Sequence, residues 1–141
     1  MTRSFPLAGL LRVRALAEER AAAELAAARR AERAAAERAR ETRERLSGST
    51  LPDVADGLAF RASVASRASL VALLEEQGEQ VVAAQTHSEE RTDVWVAARR
   101  DARAVERLEE RHDATVRAEE LHAEQVVLDE VAGRRVARED A

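Results

Sequence analysis

Cysteine, tyrosine, isoleucine, lysine and asparagine are all missing from this 141-residue chain. Without cysteine there is no disulfide, no thiolate metal site and no thiol redox centre, and the chain suits a reducing compartment. Aromatics make up only 2%, as two Phe and one Trp, so the large side chains that dominate a globular core are lacking. Proline and glycine are scarce, at two and five residues, which leaves few places where a helix must stop. No stretch approaches the roughly 20 consecutive apolar residues expected of a bilayer span. The start of the chain mimics a secretory signal only superficially. Its apolar run from Phe5 to Leu11 is interrupted by Arg12 and Arg14, which puts charge on the wrong side of such a segment. No phosphate loop, dinucleotide fingerprint or nucleophile elbow is present. Enzyme classes that need a pocket find no support.

What is present is alanine, arginine, glutamate and leucine. The chain is 45% hydrophobic and 35% charged, a mixture that belongs to long helices and coiled coils. All 23 basic residues are arginine, which compositional bias explains as well as chemistry does. The composition predicts a helix over about 5–47, a turn over about 48–52 and a second helix over about 53–138. Gly48 is the expected C-cap, and Thr50 with Asp53 the expected capping box, with Pro52 in the first turn. A short link between long helices implies an antiparallel pair. The charges agree: residues 1–46 carry a net +4 and residues 47–141 a net −8. The expected fold is all-α, a single antiparallel two-helix coiled-coil hairpin with an overhanging C-terminal arm.

The seam is legible in a heptad repeat. Phe60, Leu74, Val81 and Trp95 are separated by 14, 7 and 14 residues, and Leu11, Leu25 and Leu46 by 14 and 21. With Val64 these form the expected hairpin seam. A tight turn makes facing residue numbers add to 103, pairing Leu25 with Gly78, Ala22 with Val81, Ala39 with Val64 and Ala8 with Trp95. Trp95 is then expected against Leu7 to Leu11, and Gly78 beneath Leu25. From about Ala98 onward the second helix is expected to lack a partner. Its stripe of Val105, Leu108, His112, Leu121, Leu128 and Val131 reads as a surface for another protein.

Other chemistry is poorly served. Glu109-x-x-His112 and Glu119-x-x-His122 match half of a di-iron motif, but both sit on one helix rather than on facing helices. No metal and no cofactor is expected. Arg29-Arg30, Arg99-Arg100 and Arg134-Arg135 are interleaved with acids at helical spacing, which reads as i to i+4 pairing on a solvated face. With a net charge of −4, no nucleic-acid partner and no small-molecule substrate is expected. The acid-free stretch before Glu18, with Arg3, Arg12 and Arg14 beside Phe5, Leu7, Leu10 and Leu11, suits either an anionic membrane surface or a docking end.

The order of short motifs adds a resemblance. The chain opens with Phe5-x-Leu7-x-x-x-Leu11-x-Val13-Arg14, then Glu18-Glu19 and Leu25-Ala26-x-Ala28. Its distal part carries Trp95-x-x-x-Arg99, Leu108-x-x-Arg111, Glu119-Glu120 and Asp129-Glu130-x-Ala132-x-Arg134-Arg135. Together these resemble the flagellar FliJ family along nearly the whole chain, with a first arm shorter and richer in alanine than the family pattern. The resemblance implies a non-catalytic component of the flagellar type III export apparatus, similar to the central stalk of a rotary ATP synthase. It implies a cytoplasmic protein, peripheral at the cytoplasmic face of the membrane and connected with motility and chemotaxis. The implied partners are the export ATPase hexamer, the export gate membrane protein and export chaperones. The ring-facing end carried over to this chain comprises Leu7, Leu11, Arg14, Leu121, Leu128 and Glu130. The alternative reading is a structural coiled coil that self-associates or lies at the membrane surface.

Overall fold

The computed structural model describes residues 4–52 and 56–139, which form two helices, α1 (Ala8–Gly48) and α2 (Gly57–Glu139), and no strand among the described residues. The two helices pack against each other as an all-α hairpin. Two compact units are distinguishable: Glu19–Ala97, and Met1–Glu18 together with Ala98–Ala141. Each contains a piece of both helices.

Hydroxyls, rather than glycine, close α1. Gly48 is its last residue, yet no glycine among the described residues has a positive φ, so the expected left-handed glycine cap is absent. Instead Ser47 Oγ donates to the Glu44 carbonyl at 2.9 Å and Ser49 Oγ to the Leu46 carbonyl at 2.7 Å. These satisfy carbonyls that a helix end leaves without partners. The second helix starts later than the composition predicts. Asp56 is its N-cap, its carboxylate accepting from the Ala59 amide at 3.2 Å, as short polar side chains do at this position. Thr50 and Pro52 precede the helix, and the expected partner Asp53 lies outside the described residues.

Within Glu19–Ala97 the covered positions alternate by three and four. On α1 they are Ala21, Leu25, Ala28, Glu32, Ala35, Ala39, Thr42 and Leu46; on α2 they run Phe60, Ser63, Arg67, Leu70, Leu74, Gln77, Val81, Ala84, Ser88, Arg91 and Trp95. That alternation is a heptad seam. Val64 stands one position outside it and is 45% exposed. The pairing differs from the sequence expectation. Arg67 donates from Nη1 to the Ser49 carbonyl at 2.7 Å and also to Ser49 Oγ, and Arg91 pairs with Glu24 at 3.2 Å. Those partners' numbers add to 116 and 115, not 103. Trp95 accordingly lines a cleft with Ala22, Leu25 and Ala26, rather than meeting Leu7 to Leu11. Gly78 is exposed, and a Cβ built on it meets nothing within 4 Å. The cause of the slip is the connection. α1 ends at Gly48 and α2 begins at Gly57, so the connection is longer than the tight turn that a sum of 103 requires.

In the other unit the start of α1 covers more of α2 than expected. Arg14 pairs with Asp101 at 3.3 Å, Arg99 with Glu18 at 3.4 Å, and the rings of Phe5 and His112 lie 5.6 Å apart. Ala102 and Val105 are buried. The helix is therefore partnered well past Ala98, and Val105 belongs to the fold rather than to a free stripe.

Between Gly57 and Arg135, α2 contains an 18-residue window with a mean hydropathy of 1.3, none of it buried. By length and composition alone this is apolar enough to cross a membrane. The window is apolar on average and is not an unbroken apolar run, which is why a criterion of consecutive apolar residues does not mark it.

Candidate partner-binding surfaces

An apolar helix face left uncovered is a candidate docking surface. On α2 every residue from Arg117 to Arg135 is exposed. Leu121 and Leu128 are each 66% exposed, with Val126, Val127 and Val131 also open to solvent. Ala123, Glu124, Val127 and Leu128 line a shallow, mostly apolar depression. Val126 and Val127 were not singled out by the heptad reading. They were visible as the run Val126-Val127-Leu128, which a solvated helix has no reason to carry.

The six residues expected at a ring-facing end are placed differently from one another. All belong to the same unit. Leu121 and Leu128 are open on the bare part of α2, and Leu7 is exposed just before α1. Leu11 is half-buried in the seam, Arg14 is engaged with Asp101, and Glu130 accepts from Arg134 at 2.7 Å. Leu108 is partly exposed and His112 half-buried beside Phe5. The eight seam residues divide similarly: Leu25 is buried, Leu11, Leu46, Phe60, Leu74, Val81 and Trp95 are half-buried, and Val64 is exposed.

The first part of α2, in the unit Glu19–Ala97, also carries exposed apolar side chains: Leu58, Val64, Val71 and Leu73. From Gly57 to Leu74 the helix carries Arg61 and Arg67 and no acid. Arg67 is used to hold Ser49, while the exposed Arg61 donates from Nε to the Gly57 carbonyl at 3.2 Å.

A third surface lies on the flank of the seam in the same unit. Ala22, Leu25, Ala26, Arg29, Arg30, Arg33 and Trp95 line an open cleft. Arg14, Arg40, Arg91, Arg99 and Arg134 are paired with acids. Arg40 holds both Glu37 and Glu44, and this contact keeps the Glu37 carboxyl below its ordinary value, chiefly through the hydrogen bond it accepts. No group of three His, Asp or Glu side chains among the described residues is placed to hold a metal ion.

A model of the family described as "Flagellar FliJ protein" matches residues 3–141. No curated protein and no solved structure matches the chain.

Proposed function

The chain belongs to the flagellar FliJ family, and on that premise we propose that it works as a stalk that docks into the export ATPase ring and links it to the export gate. Membership makes it a flagellar export-related component of a non-catalytic, cytoplasmic family. The observation that carries the finer reading is the bare part of α2. Leu121, Val127 and Leu128 stay exposed on a helix whose earlier heptads are covered. Burying two such leucines in a partner's hydrophobic lining is worth about 1.5–3 kcal/mol each, enough to seat a helix in a ring. Leu7 extends this docking end on the shorter arm. The acid-free apolar start of α2, with Leu58, Val64 and Arg61, is the surface we assign to the export gate. That contact would hold the protein peripherally at the membrane. Export chaperones are further partners under this reading.

The test replaces Leu121 and Leu128 together with Asp and measures stimulation of the cognate export ATPase. Stimulation is expected to disappear while the hairpin melts as before, because carboxylates buried without partners weaken an interface by several kcal/mol. A double variant that still stimulates fully would remove this arm from the docking surface.

A further inference from the structure

The cleft on the flank of Glu19–Ala97 holds three arginines that the fold does not use. Arg29, Arg30 and Arg33 are exposed, and among the described residues none of them makes an ion pair or a hydrogen bond. The acids that could neutralise them are engaged elsewhere. Glu24 pairs with Arg91, Glu37 with Arg40, and Glu32 is half-buried in the seam. Beside the three cations lie Ala22 and Ala26, whose small side chains leave a trough, and the half-buried indole of Trp95. Arg29 and Arg33 are one helical turn apart, so their guanidinium groups reach the same side of that trough.

We propose that this cleft binds an acidic segment of a partner protein that also carries apolar side chains. Guanidinium groups recognise carboxylates through paired, charge-assisted hydrogen bonds. The alanine floor and the indole offer an apolar bed between them. A nucleic acid is the poorer occupant. Its backbone is held by an extended run of cations, whereas this chain has a net charge of −4 and concentrates three arginines within five positions. The cleft shares no residue with the arm or with the start of α2, so the proposal does not depend on how either of those docks.

The chain's single tryptophan reports on the cleft directly. The probe is a capped 12-residue peptide alternating glutamate and leucine, titrated at about 0.1 M salt, where charges more than about 10 Å apart are screened. Saturable change in Trp95 emission is expected with this peptide, and none with its glutamine-for-glutamate counterpart. Replacing Arg29 and Arg33 with Gln is expected to weaken binding at least tenfold while leaving the thermal melt unchanged, since both side chains are solvated. Replacement with Lys is expected to recover only part of the affinity, because the paired geometry is lost. Equal binding of the acidic and glutamine peptides would overturn the proposal. So would undiminished binding by the double-glutamine variant, or tighter binding of a single-stranded oligonucleotide than of the acidic peptide.

Discussion

Two stretches of the same helix carry leucine at coiled-coil spacing and have opposite fates. In one, Leu70 and Leu74 are half-buried beside α1. In the other, Leu121 and Leu128, seven residues apart, are two-thirds exposed. Composition does not separate them, since both lie among Ala, Glu, Arg and Val. The difference is the second helix. In the unit that contains the chain's start, α1 begins at Ala8, and the last ring contact before it joins Phe5 to His112. Beyond Val116 the periodicity persists while every side chain from Arg117 to Arg135 stays exposed. A heptad repeat therefore specifies a face and leaves open what covers it. Where the chain itself does not, the partner proposed above would be the physical reason to keep the repeat.

The sharpest way to break this comparison is to truncate one leucine of the covered seam and one of the open arm. Leu25, 6% exposed, is the most buried leucine among the described residues. Leu25→Ala is expected to lower stability by about 2 kcal/mol, near the bottom of the range for core leucines, because a two-helix seam can collapse around the gap. Leu121→Ala is expected to change stability by no more than about 0.5 kcal/mol, as for other solvated sites. Urea melts followed by circular dichroism compare them. Equal losses would mean that the arm is part of the folded core.

A smaller effect, of opposite sign, comes from the polar layers of the seam. Gln77 Oε1 and Arg91 Nε are buried without a hydrogen-bond partner, and Thr42 and Ser88 are buried as well. An unsatisfied buried polar atom costs about 1–3 kcal/mol. Gln77→Leu is therefore expected to raise the urea midpoint, with a gain of about 1 kcal/mol. A loss on this substitution would show that Gln77 finds a partner, such as a bound water, and that the seam depends on it.

The helices and the phase of the seam were legible in the sequence, because both follow from local composition and period. Phe60, Leu74, Val81 and Trp95 do share one heptad position and one face. The register was not legible. Sliding one helix along the other by seven residues preserves the phase, so periodicity cannot choose between pairings. A tight turn at Gly48 selects the sum of 103, whereas Arg67 ties α2 back to Ser49 and Leu46 across a longer connection. The cleft was hidden for a related reason. Spacing suggested that Arg29 and Arg30 pair with nearby acids, but Arg40 and Arg91 occupy Glu37 and Glu24. Competition among several arginines for few acids is settled by geometry, which spacing alone does not contain.

Gly78 provides the finest test of the register, since the two pairings demand opposite signs there. Under a tight turn Gly78 would lie beneath Leu25, and a large side chain would overpack the seam, costing about 1–3 kcal/mol. In the observed register the residue is exposed and has open space around an added Cβ. Glycine within a helix then costs only its conformational entropy, about 0.5–1 kcal/mol relative to alanine. Gly78→Ala is expected to stabilise by that amount, and Gly78→Leu by slightly less. The leucine variant is the discriminating one, because alanine could fit a close seam but leucine could not. Urea unfolding of the wild type beside Gly78→Leu measures the sign. A destabilised leucine variant would restore the tighter register and move Trp95 away from Ala22 and Ala26.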